Sequence, residues 1–274
     1  MAKTKTSQVS SSMVRLSSGL AGFRALPKSK RKRPGVILLH ERYGVLKHTK
    51  DLAIKLAQAG YIGFAPNLFW RFTGDKKALE RGEVRSELRD SEVIEDIDQS
   101  IDYLRKLDSV EPTQIGIIGV CQTGRHALLP AAHRKDLSSC VVFYGAAGGK
   151  EWSTDEYRPE TIEALLQKLC CPLLGVFGEA DHIISVDDVI RFRGALEQSK
   201  KSYHIRIYRD APHGWLNDTM PGRYREAAAK DAWKLLLSFL KKSFGGGWDR
   251  GRVQWRFESD FSTSYDYKKN VRLE

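Results

Sequence analysis

Long hydrophobic runs are missing from this chain of 274 residues. Val36 to Leu39 and Cys170 to Phe177 fall far short of the roughly 18 apolar residues a membrane helix needs. Cysteine is scarce as well. Cys121, Cys140, Cys170 and Cys171 are too few and too irregularly spaced for a disulfide framework or a zinc site. They suit a reducing compartment. Acid is absent from residues 1–34, which hold nine Lys/Arg. That stretch also lacks the apolar core of a secretory signal, so a cytoplasmic protein is expected. A mitochondrial transit peptide is the alternative for such a start, although the stretch from Val14 reads as structure.

The absence of acid at the start accounts for most of the net charge of +11. Residues 35–244 carry 30 bases against 29 acids, and residues 245–274 carry six against five. The body is close to neutral, so the basicity is a local feature and nucleic acid is not the expected partner. The run Lys28 to Arg33 reads as a solvated loop tip, with a localisation or nucleic-acid patch as the alternative.

What is present is enough for a full core. Hydrophobic residues make up 41% and charged residues 29%, which excludes wholesale disorder, collagen and coiled coil. The chain alternates between two patterns. Gly35–His40, Tyr61–Ala65, Gln114–Val120, Ser139–Tyr144, Pro172–Phe177 and Tyr203–Tyr208 are short apolar runs, as in strands buried on both faces of a sheet. Between and after them, Thr49–Gln58, Ser91–Leu107, Thr123–His133, Glu160–Leu169, Val186–Gln198 and Arg223–Lys242 carry apolar residues at helical spacing. This predicts an α/β fold, a doubly wound and mostly parallel sheet with helices on both faces.

Three regions fall outside the alternation. Met13–Leu16 and Leu20–Leu26 fit a hairpin leading into the first parallel strand. Residues 67–90 read as a long connection or a cap over a site. After Gly245-Gly-Gly247, Val253, Trp255 and Phe257 alternate with polar residues and fit an edge strand. The expected division is a flexible segment 1–12, an α/β domain 13–244 and an aromatic extension 245–274. That extension should pack on the body or, in a homodimer, on a second subunit.

The sharpest local signal is Ile117-Ile-Gly-Val-Cys-Gln-Thr-Gly124. A strand ends, a tight turn follows and a helix begins, which is the context of a nucleophile elbow. A helix N-terminus stabilises a thiolate there. A buried structural cysteine fits Cys121 equally well when it is taken alone. A base and an orienting acid should follow in the order acid, then histidine, each on a loop after a strand. Asp181 in Gly178-Glu-Ala-Asp181 and His213 in Pro212-His213-Gly214 stand at those places. A helix cap and a turn histidine are the plain alternatives. Of the other six histidines only His40 shares a strand end, and Glu41 beside it should point into the same site.

With these residues in place, the sequence resembles the dienelactone hydrolase (carboxymethylenebutenolidase) family of the α/β-hydrolases. The resemblance rests on His40-Glu41-x-x-Gly44, Gly60-Tyr61, Ala65-Pro66, Gly119-x-Cys121, Gly178-x-x-Asp181 and His213-Gly214, over about residues 14–243. It implies that Cys121 is the nucleophile, His213 the general base and acid, and Asp181 the group orienting His213. It implies that Glu41 pairs with the resting thiol. It places the oxyanion hole at the backbone N–H groups of Arg42 and Gln122. Two departures stand out. Thr123 occupies a glycine position of the elbow, and Asn217 stands where the family carries a substrate-binding arginine. Arg81, Arg85 and Arg89 on the cap are candidates for that role by position, and Trp215 is a further candidate for substrate contact.

The expected activity is hydrolysis of small lactones or activated esters through a cysteinyl acyl-enzyme, with no metal and no cofactor. A thiolate adds readily to an enol ester, whose leaving group departs as a stabilised enolate. The alternatives are thioester hydrolysis or dehalogenation on the same scaffold, and a non-catalytic binding protein that uses its basic N-terminus.

Overall fold

The computed structural model describes residues 9–249 and 251–262. Nine strands form one sheet: β1 (Val9–Arg15), β2 (Ala21–Pro27), β3 (Arg33–Leu38), β4 (Ile62–Pro66), β5 (Val110–Val120), β6 (Ser139–Phe143), β7 (Leu173–Gly178), β8 (Tyr203–Tyr208) and β9 (Trp255–Ser259). Their spatial order is β1-β2-β4-β3-β5-β6-β7-β8-β9. β1 and β2 form an antiparallel hairpin, and β2 meets β4 antiparallel. From β4 through β3 to β9 every pair is parallel. This is the expected α/β fold, and β8 has the limits read from the sequence.

Helices cover both faces. α1 (Lys47–Gln58) and α7 (Glu226–Phe244) lie on one, where Leu52, Leu56, Leu236, Phe239 and Leu240 pack against Val36, Leu38, Val141 and Val176. On the other, α3 (Asp90–Arg105), α4 (Gly124–His133), α5 (Ile162–Lys168) and α6 (Val186–Gln198) bury Ile97, Ile101, Leu128, Leu165 and Phe192 against Ile37, Ile117, Val142 and Ile205. Successive residues of β3, β5 and β6 thus enter opposite cores. This is why those strands read as continuous apolar runs rather than alternating ones.

Residues 67–90 are not wholly irregular, because a short helix α2 (Lys76–Arg81) lies within them. Five of its six residues are Lys, Glu, Arg or Leu, and the capping side chain of Asp75 bonds the N–H groups of Lys77 and Ala78. Two buried residues, Ala78 and Leu79, give too little apolar periodicity to mark it.

The structure moves two boundaries. β1 begins at Val9, so residues 9–12 are paired strand and not part of a flexible segment; residues 1–8 lie outside the described residues. The extension after α7 returns to the sheet as β9, parallel to β8, with Tyr203 opposite Trp255 and Ile205 opposite Phe257. Arg193 lies over the Phe257 ring, and Trp255 Nε1–H donates to Lys201 O at 2.9 Å. Of the aromatic residues read as part of that tail, Tyr265 and Tyr267 lie outside the described residues.

Candidate active site

Five neighbouring parallel strands, β3, β5, β6, β7 and β8, each deliver one polar side chain just beyond the carboxyl end. In sheet order these are Glu41, Cys121, Tyr144, Asp181 and His213. All five are buried or half-buried. A cavity of about 360 Å³ is lined by Glu41, Cys121, Tyr144 and His213, with Asp181 behind His213.

Cys121 follows β5 directly. It begins a single 3-10 turn that runs into α4, and its φ is 57°, in the left-handed region that costs a non-glycine residue strain. The turn is possible because its surroundings lack side chains. A Cβ on Gly119 would sit 2.4 Å from Thr123 O, and one on Gly145 would sit 2.4 Å from Cys121 O. The departure at Thr123 does not reach the cavity. Its side chain points inward, where Oγ1 accepts from Val120 N–H at 3.1 Å and donates to Val120 O at 3.0 Å. Arg125 then ties α4 to the start of α3. Its Nε lies 3.1 and 3.2 Å from the two Asp90 oxygens, and Nη2 donates to Oδ2 at 2.6 Å, with both residues buried.

His213 Nε2 lies 3.1 Å from Cys121 Sγ, and His213 Nδ1 lies 2.8 Å from Asp181 Oδ2. Asp181 combines the two readings of its position. Oδ2 faces the imidazole, while Oδ1 caps the loop by accepting from Ile183 N–H at 2.8 Å and Ile184 N–H at 3.0 Å. Burial alone lowers the pKa of His213. The charges of Asp181 and Cys121, and the hydrogen bonds to both, outweigh it and raise the pKa well above 6.5. The site therefore favours the protonated form of His213.

Glu41 reaches the same cavity, but its carboxylate is not engaged by the thiol. Tyr144 O–H donates to Oε1 at 3.2 Å and Asn217 Nδ2–H donates to Oε2 at 2.6 Å. Tyr144 sits at φ 35° and meets the His213 ring edge-on, with centroids 5.3 Å apart. Burial, and then the negative charges of Glu41 and Cys121, push its pKa well above the usual phenol value, so it stays a donor. Arg42 and Gln122, read from the sequence as oxyanion donors, line the cavity together with Cys121.

The candidates for substrate contact divide. Arg85 lines the cavity. Arg81 does not; it pairs with Glu83 through two bonds of 2.6 and 2.7 Å and faces a separate cleft. Arg89 stacks on Tyr157 at 4.1 Å and pairs with Glu156. Asn217 is buried behind Glu41 and holds it, so it supports the site without lining the cavity. Trp215 is a core residue. Its backbone N–H donates to Pro212 O at 3.3 Å in a tight turn, and the indole packs inward against Phe143, Tyr144 and Tyr208.

Sequence reasoning missed Tyr43, Tyr144, Lys150, His182 and Arg223, which also line the cavity. Tyr144 carried a usable signal, because it follows β6 as Cys121 follows β5. The others lie on loops that only the folded chain brings together.

Comparison with known proteins fits this geometry. The sequence pattern of the dienelactone hydrolase family matches residues 20–244. A candidate carboxymethylenebutenolidase of Methylorubrum extorquens is 30% identical over 228 residues, covering 81% of this chain and 77% of the relative. One of Escherichia coli K12 is 31% identical over 234 residues, covering 83% of each chain. The crystal structure of a candidate dienelactone hydrolase from Klebsiella pneumoniae superposes with a TM-score of 0.78 at 28% identity, covering 86% of this chain and 99% of that one. A fold with this sheet order, a match spanning the whole body and relatives of this similarity lead to one assignment: the chain belongs to the dienelactone hydrolase family of lactone and ester hydrolases.

Proposed function

We propose that the protein hydrolyses small anionic lactones or activated esters through a cysteinyl acyl-enzyme. The observation that carries this reading is the line Cys121–His213–Asp181, with separations of 3.1 and 2.8 Å at the mouth of a cavity. The Cys121 thiolate attacks the acyl carbon, and the carbonyl electron pair moves to oxygen. The backbone N–H groups of Arg42 and Gln122 stabilise that oxyanion. The C–O bond of the leaving group then breaks, and its oxygen takes the Nε2 proton of His213. For a lactone the ring opens and the acyl-enzyme stays tethered to Cys121 as a thioester. Water attacks the thioester and gives its proton to the neutral His213, and the thiolate leaves. Asp181 keeps the Nδ1–H of His213 directed inward throughout, so that Nε2 faces the sulfur.

Charge around the cavity supports an anionic substrate. Arg42, Arg85, Lys150 and Arg223 line it together with Glu41, Glu87 and Glu151. Burial pushes the Glu151 carboxyl up, which weakens its opposition to an anion. A Bradyrhizobium relative, 29% identical over 221 residues, is named a probable 2-oxo-3-(5-oxofuran-2-ylidene)propanoate lactonase, a substrate name that includes a carboxylate. With Asn217 turned toward Glu41, such a group falls to the cations that line the cavity, Arg85 and Arg223 among them. Four free thiols and this chemistry suit a reducing, cytoplasmic setting.

The test is a substrate panel: a dienelactone, a neutral lactone, p-nitrophenyl acetate and a small thioester, each with wild type and Cys121→Ala. Cys121-dependent turnover of the lactone or the ester supports the proposal. Turnover of the thioester alone points to the other hydrolase reaction, and no turnover of any points to a binding role.

A further inference from the structure

His40 is buried beside the site and is engaged on both ring nitrogens. Leu68 N–H donates to His40 Nε2 at 3.0 Å. A nitrogen that accepts from an amide is unprotonated, so the ring proton is on Nδ1. Nδ1 lies 2.7 Å from Glu41 O and therefore donates to that carbonyl. Burial lowers the His40 pKa to about 4, with the bonds to backbone carbonyls opposing it only in part. The ring is thus neutral, with one tautomer, across the physiological range.

The carbonyl that His40 holds belongs to the same planar unit as the N–H of Arg42. The peptide is trans, so that N–H points opposite to the carbonyl and moves rigidly with it. Gly44 N–H donates to the same oxygen at 3.2 Å, from the other end of the loop. Two donors on one carbonyl leave the peptide plane little freedom to rotate. Arg42 itself stands at the rim of the cavity beside Cys121 and Gln122.

We infer that His40 is a positioning residue for oxyanion stabilisation: by donating Nδ1–H to Glu41 O it fixes the direction of the Arg42 N–H. This rests on the hydrolase reading above and extends it to a residue that touches neither the substrate nor the triad. Preorganised donors lose effect quickly when misaligned, and a displacement of about 1 Å costs on the order of 100-fold in rate.

Two substitutions separate the roles of the two nitrogens. In His40→Asn the side-chain N–H stands at the position of Nδ1 and keeps the bond to Glu41 O, but nothing reaches Leu68. In His40→Gln the side-chain oxygen stands near the position of Nε2 and keeps the bond to Leu68, but Glu41 O loses one of its two donors and keeps only the Gly44 N–H. Each variant is assayed for kcat and KM on p-nitrophenyl acetate and for the rate of Cys121 alkylation by iodoacetamide. Alkylation needs the thiolate but forms no oxyanion. We expect His40→Gln to lose about 10- to 100-fold in kcat with KM and alkylation little changed. We expect His40→Asn to keep kcat within about 3-fold of wild type. Full activity in His40→Gln overturns the inference, and so does an equal loss of turnover and alkylation, which would mark a general structural role. If His40→Gln does not fold, a large loss of kcat in a folded His40→Asn overturns it alone. Wild-type protein without Cys121-dependent turnover removes the hydrolase reading itself, a result distinct from the others.

Discussion

Asn217 Nδ2–H donates to Glu41 Oε2 at 2.6 Å, with both residues buried. Asn217 Oδ1 accepts in turn from Thr219 N–H at 3.0 Å and Thr219 O–H at 2.7 Å, so the amide orientation is fixed by its partners. The residue at the expected place of a substrate-binding arginine therefore serves the protein's own carboxylate. Asn217→Ala leaves one oxygen of a buried carboxylate unsatisfied and should cost about 1–3 kcal/mol of stability. Urea unfolding at neutral pH checks this. Asn217→Asp should cost more, because it sets a second carboxylate against Glu41.

The cavity cations should control affinity for charged substrates. Arg223→Gln and Arg85→Gln are expected to raise KM for a carboxylate-bearing lactone by about 10-fold or more, since charge-assisted hydrogen bonds contribute about 1.5–3 kcal/mol. The same variants should leave p-nitrophenyl acetate within about 2- to 3-fold of wild type. Steady-state kinetics on the two substrates tests the split.

The pH dependence follows from three buried histidines. His213 has a raised pKa, so its proton on Nε2 should persist above 6.5, and the alkaline limb of kcat/KM should lie above that value. The stability this pair contributes is fully present below 6.5 and is lost as pH rises through the raised folded pKa. His40 and His126 go the other way. Burial lowers them to about 4 and about 3, so the stability of keeping them neutral is present above 6.5 and lost as pH falls toward those values. For His40 alone this amounts to about 3 kcal/mol. Thermal unfolding from pH 7 to 4 should show a falling Tm, and His40→Asn should flatten the fall.

Trp215 and Arg81 separate core from site. Trp215→Ala should destabilise by about 3–5 kcal/mol, as expected for emptying a fully buried indole site. Arg81→Ala removes an exposed pair with Glu83 and should change neither stability nor KM measurably. Denaturant midpoints and KM values for the two variants decide between these roles and direct substrate contact.

Most of the architecture was legible because buried parallel strands and amphipathic helices write their periods into the sequence. α6 and β8 were readable to the residue, and the elbow was readable from Gly119, Cys121 and Gly124. That Cys121, Asp181 and His213 come together was readable because each follows a strand in a fixed chain order. Trp215 was not, since its distance from His213 along the chain says nothing about the turn that sends the indole inward. Arg81 ends α2 and Arg85 lies in the irregular segment after it, and only the fold shows which faces the cavity. Tyr144 had only its place directly after β6 to mark it, and its part becomes visible when its O–H is seen 3.2 Å from a carboxylate more than 100 residues away.

The central claim is that Cys121 carries the acyl group. The most direct test is intact-mass spectrometry of the protein mixed with p-nitrophenyl acetate and quenched in acid within the first turnovers, with Cys121→Ala in parallel. One added acetyl group is expected on wild type, mapped to Cys121 and lost as turnover ends, with no such adduct and a rate at least about 1,000-fold lower in the variant. Hydrolysis by Cys121→Ala at the wild-type rate, or an adduct mapped to another residue, would contradict it.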